Sequence, residues 1–188
     1  TTYYTALSAY DSDGNESWVS SDLSVETPNN EPVATNVSVS TSEDTLAQIT
    51  LSGSDADGDP ITFSISPPLN GSLGSIVTVD NFTALVNYTP SADFNGVDTF
   101  EYVANDGSAN SAAATVTINV SPVNDAPVVS NQDINTYQGT PVTVTLTGSD
   151  IDGDSLNWSV SNVVGGSVEF LSNTITSNTI DVTFTPGP

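Results

Sequence analysis

The chain repeats itself with a period of about 95 residues, which limits it to folds that a segment of that length completes. Gly53-Ser54-Asp55-Ala56-Asp57-Gly58-Asp59 returns as Gly148-Ser149-Asp150-Ile151-Asp152-Gly153-Asp154. Glu31-Pro32 returns as Ala126-Pro127, and Ile61-Thr62-Phe63-Ser64-Ile65 as Leu156-Asn157-Trp158-Ser159-Val160. Tyr88-Thr89-Pro90 matches Phe184-Thr185-Pro186 after a slip of one residue. The matches are collinear and nearly ungapped, so each copy reads as one folding unit.

The complete copy has a period of two. Phe100, Tyr102 and Ala104 point one way, and Val116, Ile118 and Val120 alternate with Thr115, Thr117 and Asn119. Strands are expected at about 33–40, 46–53, 61–66, 74–79, 82–88, 98–104 and 112–120, with Gly, Pro, Asn and Asp between them. Seven alternating strands and no helical period predict an all-β Greek-key sandwich. Its core is expected to include Val37, Leu51, Phe63, Ile65, Leu85, Tyr88, Phe100, Tyr102, Val116 and Ile118. The predicted division is 1–28 as the last two strands of a sandwich, 29–123 as a complete one, and 124–188 as the first five strands of another. In that last copy Val142, Val144, Leu146, Trp158, Val160, Ile180, Val182 and Phe184 are expected to lack facing strands.

Composition then removes whole classes of function. The chain holds 23 Asp and Glu and no Lys, Arg or His, for a net charge of −23. No side chain can neutralise a carboxylate, so neighbouring acids must repel, stay partly protonated, or find metal ions. Nucleic-acid binding fails for want of cations, and so does attraction to anionic lipid. No apolar run approaches a membrane span. Without His, Cys or Lys, most acid–base and nucleophilic chemistry has no side chains. Glu43-Asp44 and Glu101 show no partnered acid of the kind a glycosidase needs, so no enzyme is expected. The lack of Cys removes disulfides, a gap that metal ions can fill in a secreted protein. Residues 1–30 lack the charged start and apolar core of a signal peptide, which predicts a mature or excised segment.

Val123-Asn124-Asp125-Ala126-Pro127, together with the Asp150-x-Asp152-Gly153-Asp154 turn, resembles the bacterial cadherin-like tandem repeat of large surface proteins, an immunoglobulin-like sandwich. Phe94-Asn95-Gly96-Val97-Asp98-Thr99-Phe100-Glu101-Tyr102 and Ala104-Asn105-Asp106-Gly107 look like its sixth strand and following turn. The likeness covers about 31–188, whereas residues 1–27, with Tyr10-Asp11-Ser12-Asp13-Gly14-Asn15-Glu16-Ser17, look like the end of a fibronectin type III module. The resemblance implies a secreted, rod-like, often calcium-bound role in adhesion or matrix formation. The acidic strand-end motif that completes calcium sites in animal cadherins has no clear match.

The residues themselves support calcium. Asp55-x-Asp57-x-Asp59 and Asp150-x-Asp152-x-Asp154 set alternate carboxylates around a Gly, and calcium takes six to eight oxygens from a flexible backbone. The competing reading is plain Asp-Gly turns, in which Asp bonds its own backbone. In an up-and-down sandwich the domain start and the loops after strands two and six share one end. Asn30, Glu31, Asp55, Asp57, Asp59 and Asp106 are therefore expected to converge. The matching set is Asn124, Asp125, Asp150, Asp152 and Asp154, with Asp11 and Asp13 able to supply the missing loop.

Asn15, Asn36, Asn70, Asn81, Asn87, Asn119 and Asn157 begin glycan-acceptor patterns, as expected by composition alone in a Ser/Thr-rich chain. Trp18 and Trp158 read as sandwich core before sugar platform. The leading expectation is the subunit of an extracellular, calcium-stabilised filament or matrix, with copies joined head-to-tail when residues 1–27 of one complete the last sandwich of the next. The alternatives are a spacer or adhesive segment of a much longer surface protein and a carbohydrate-binding module for surface glycans.

Overall fold

The computed structural model describes residues 2–5, 8–17, 23–171 and 178–187, with backbone alone for 2–5 and 23–26. The expected strand residues 6, 7 and 18–22, Trp18 among them, lie outside the described residues. The chain divides into two compact units, Thr1–Pro122 and Val123–Pro188.

Unit 1 contains β1 (Thr2–Thr5), β2 (Leu23–Glu26), β3 (Val33–Ala34), β4 (Val37–Ser42), β5 (Ala47–Ser54), β6 (Thr62–Ile65), β7 (Gly71–Leu73), β8 (Val77–Thr78), β9 (Thr83–Pro90), β10 (Gly96–Asn105) and β11 (Ala114–Ser121). β1 and β2 pair antiparallel as a two-stranded sheet. The others form a sandwich, with one sheet ordered β4-β11-β10-β6 and the other β3-β5-β9-β7, β8 also pairing with β9. The expected first strand is split. β3 pairs antiparallel with β5, the chain crosses at Thr35-Asn36, and β4 pairs parallel with β11. Asn36 Oδ1 accepts the Thr115 N–H at 2.8 Å and pins the crossing.

Alternation builds the core. Ala47, Ile49 and Leu51 of β5 and Val86 and Tyr88 of β9 face Phe100, Tyr102, Val116 and Ile118 of the other sheet, with Val37, Phe63 and Ile65 packed at the margin. Leu85 is a correction. It shares β9 with Tyr88 at odd spacing, so a pleated strand that buries Tyr88 turns Leu85 to the opposite face.

One acid also enters this core. Asp98 is 3% exposed. Its Oδ2 accepts the Tyr88 hydroxyl at 2.8 Å and the Asn70 N–H at 3.0 Å, and its Oδ1 accepts N–H groups of Thr99 at 2.9 Å and Leu69 at 3.3 Å. Neutral donors on both oxygens satisfy a carboxylate that has no cation to pair with. Burial first, and then the Asp98 hydrogen bond and charge, push the Tyr88 phenol above its ordinary value.

Unit 2 contains β12 (Val128–Val129), β13 (Val142–Ser149), β14 (Gly166–Phe170) and β15 (Thr179–Pro186), in one sheet ordered β12-β13-β15-β14. This is the counterpart of the β3-β5-β9-β7 sheet. The strand expected at Leu156–Val160 does not form. Its counterpart β6 has β10 as its one ladder neighbour, and unit 2 has no counterpart of β10 among its described residues. Nor is the apolar face bare, as expected from the sequence. Val144, Ile180 and Val182 are buried, with Val142, Leu146, Trp158 and Val168 packed against them. Freed from a ladder, the 154–164 segment buries Leu156 and brings Trp158 onto that face.

Candidate metal centre

The turn after β5 opens with Asp55, whose Oδ1 accepts the N–H groups of Asp57 at 2.8 Å and Asp59 at 3.2 Å. Gly58 takes φ +82°, a left-handed value that costs glycine nothing. Carboxylate oxygens of Asp55, Asp57 and Asp59 lie within 4.8 Å of one another. The chain approaching β3 docks on this turn: Asn30 N donates to Asp57 Oδ2 at 2.7 Å, and Asn30 Nδ2 reaches both Asp57 oxygens at 3.1 Å. Asp106, in the loop after β10, joins through Asn29, whose Nδ2 donates to Asp106 Oδ2 at 2.9 Å and to Asn30 O at 3.0 Å. The Asn29 bond, helped by N–H groups of Ala109 and Ser108, holds the half-buried Asp106 carboxyl below its ordinary value.

Unit 2 repeats these bonds. Asp150 Oδ1 accepts from Asp152 N at 3.0 Å and Asp154 N at 3.2 Å, and Gly153 has φ +80°. Asp125 N donates to Asp152 Oδ2 at 2.7 Å, and Asn124 Nδ2 to Asp125 O at 2.9 Å. Within unit 2, no three carboxylates among the described residues meet the spacing of the first turn.

Five of the six residues expected to converge in unit 1 do so. Glu31 does not; it is exposed and lines a shallow groove with Pro32 and Ala112. Asn29 takes its place, two residues earlier, as Asn124 does in unit 2. Asp11 accepts N–H groups of Asp13 at 2.9 Å and Asn15 at 2.8 Å and the Asn15 side-chain amide at 2.9 Å, within its own turn. These bonds, Asn15's first, hold its exposed carboxyl below the ordinary value. Asp13 is exposed beside it.

At the opposite end of unit 1, Glu43 and Asp44, which show no partnered acid in the sequence, lie near Asp93, a grouping the sequence did not suggest. Glu43 is buried, with Asn95 Nδ2 3.5 Å from its Oε2, and Asp44 Oδ1 accepts the Asp93 N–H at 3.4 Å. Asp44 and Asp93 both have positive φ, 54° and 58°. The signal was two acids at strand ends, each followed by turn residues, but burial is invisible in sequence.

A cation at the first turn has a specific place to go. Asp55 Oδ2 is buried and has no hydrogen-bond partner. A buried carboxylate oxygen without a donor is costly, and the chain has no cationic side chain to supply one. The donor set is all oxygen and three-fold anionic, which suits a hard divalent ion such as calcium.

Fold and turns together define a tandem immunoglobulin-like protein with acidic turns at the head of each repeat. Residues 29–119 and 124–188 both match the model of the bacterial Ig domain, and the chain belongs to that family. It is similar to two proteins of Dictyostelium discoideum: integrin beta-like protein B, 29% identical over 136 residues, and integrin beta-like protein A, 34% identical over 148. These alignments cover 66% and 68% of this chain but 7% of each relative, so the chain spans a small part of their length. Among solved structures, the cadherin repeats of PcdhgB3 EC1-4 match at a TM-score of 0.50 and 14% identity, covering 98% of this chain and 56% of that one. That likeness shows the fold alone. An endo-fucoidan hydrolase of glycoside hydrolase family 107 covers 100% of this chain at a TM-score of 0.44 and 30% of the enzyme, and carries no argument about activity.

Proposed function

We propose that this chain is a non-enzymatic structural stretch of an extracellular, adhesion-type surface protein, whose repeats are stiffened by calcium at their head turns. The observation that carries the reading is the partnerless, buried Asp55 Oδ2 among three convergent carboxylates, in a chain without a cationic side chain. Asp55, Asp57 and Asp59 would hold the ion, with Asn30 and Asp106 positioned around them. The ion would supply the positive charge that lets the turn, the approach to β3 and the loop after β10 stay together. The integrin beta-like names of two relatives, and their much greater length, favour a segment of a long surface protein. Thermal unfolding of the whole chain with added calcium and with chelator tests the reading. The midpoint is expected to rise with calcium, and superimposed curves defeat the proposal.

A second reading, assembly of copies by strand addition, is favoured by two observations. β1 and β2 form a sheet of their own, and unit 2 is a single sheet with no facing sheet among its described residues. Strand pairs that complete another chain's sandwich propagate head-to-tail. Asp11 and Asp13 of one copy would then reach the Asp150 turn of the next. Deleting residues 1–27 is expected to abolish large species in light scattering, whereas unchanged scattering removes the second reading and leaves the first.

A further inference from the structure

The edge of a sheet offers unpaired N–H and C=O groups, and sandwiches blunt their edges with short strands, proline or charge. In the two sheets of the unit 1 sandwich the edge strands are β3, β4, β6 and β7. β3 has two residues and follows Pro32, β7 has three, and β6 has four and runs into Pro67-Pro68. β4 has six residues, with no proline, glycine or charge. Residues 33–42 hold no acid at all, in a chain that carries 23. Neither length nor sequence protects this edge.

The ladder decides which backbone groups the edge offers. The Glu43 N–H, next along the chain, donates to Ser121 O of β11. In a parallel pair, alternate residues of a strand turn their N–H and C=O to the same neighbour. Counting back from Glu43, Thr41, Val39 and Val37 address β11, so Ser40 and Ser38 address the free side. Both serines are exposed, and among the described residues β11 is the only strand that pairs with β4.

We propose that the β4 edge is a homodimer interface, at which β4 of a second copy adds antiparallel and makes one continuous sheet of the two. The charge pattern selects both occupant and direction. Glu43 and Asp44 close β4 at its C-terminal end. Parallel addition sets these acids beside their own counterparts. Antiparallel addition centred on Val39 pairs Ser38 with the partner's Ser40 and Asn36 with the partner's Ser42, and leaves both acids beyond the paired stretch. Every pair in that register lies on one face of the sheet, and Val39 meets its own copy. Ser38 and Ser40 each then donate and accept across the joint. The contact is isologous, so it closes at two copies. It uses unit 1 alone and does not rest on strand addition by residues 1–27.

Sedimentation equilibrium of the full chain tests the interface. A monomer–dimer equilibrium is expected, tightening as salt is raised, because screening relieves repulsion between two acidic copies. Ser40→Pro removes a donor on the free side, where an edge strand tolerates proline. Ser40→Glu brings an acid into the joint and carries the test if the proline variant fails to fold, as judged by thermal unfolding. Each variant is expected to weaken the dimer by about tenfold or more. The chain has no Cys, so Val39→Cys supplies a lone thiol. It is expected to oxidise to a covalent dimer faster than Ser72→Cys on the β7 edge. A monomer at every concentration and salt, a dimer that the folded Ser40 variants leave intact, or equal oxidation of the two thiols overturns the proposal.

Discussion

Two carboxylates with buried oxygens in unit 1, Asp98 and Asp55, are satisfied differently. Asp98 gathers four neutral donors, while Asp55 satisfies Oδ1 and leaves Oδ2 bare. Removing the Tyr88 hydroxyl from Asp98 with Tyr88→Phe should therefore cost about 1–3 kcal/mol, read as a lower denaturant midpoint. Asp55→Asn keeps an oxygen for the Asp57 and Asp59 N–H groups but removes charge. Calorimetry should show calcium affinity falling while the calcium-free unfolding curve barely moves. Asp106 gives a pH signature. Its carboxyl is held below the ordinary 3.8, so its contribution is present above that value and fades as pH falls through the lower folded one. Asn29→Ala should flatten that acid limb. Most of these acids were legible from their spacing around Gly58 and Gly153. Asn29 was not, because a side-chain amide that bridges two loops leaves no periodic trace, and Glu31, two residues on, carried the more conspicuous charge.

Strands in this protein form where a ladder neighbour exists. β4 pairs within its sheet with β11, and β6 with β10. Among the described residues their repeat counterparts at 132–137 and 157–160 have neither neighbour, and no strand forms there, although 157–160 matches β6 in residue type. Hydrogen exchange should separate the pairs: backbone amides of 157–160 should exchange faster than those of β6, and 132–137 faster than β4. Equal protection would contradict this account. Gly53 makes a second check. A Cβ there would lie 2.6 Å from Ile61 Cδ1 and 2.8 Å from Val33 O, so Gly53→Ala should destabilise unit 1 by about 1–3 kcal/mol. Sequence alternation found β10 and β11 directly, because each buries every second residue. It misplaced Leu85 because an apolar side chain stands alone on the outward face of β9, among Thr83, Asn87 and Thr89, and only its parity with Tyr88 shows that it turns outward. It missed the break between β3 and β4, because a strand that changes sheets keeps its composition.

For the whole chain, the charge of −23 sets the terms on which ions act. Only a folded repeat gathers Asp55, Asp57 and Asp59, so calcium at a hundredfold over its dissociation constant should add about 2.7 kcal/mol to the stability of unit 1. Chelation should reverse that gain, and 1 M salt should not replace it, since screening weakens repulsion but leaves Asp55 Oδ2 without a ligand. The parallel pairing of β4 with β11 has a mechanical corollary. Val37 to Ser42 lies beside Val116 to Ser121 in the same direction. A pull on the chain before β4 and after β11 therefore drags the two strands oppositely along their length. The ladder bonds share the load in shear, where an antiparallel pair pulled from its adjacent ends would unzip one bond at a time. Under a stretching force, unit 1 should yield at β4–β11 in a single abrupt event, and force spectroscopy on Val39→Pro, which removes one ladder donor, should show that event at a much lower force.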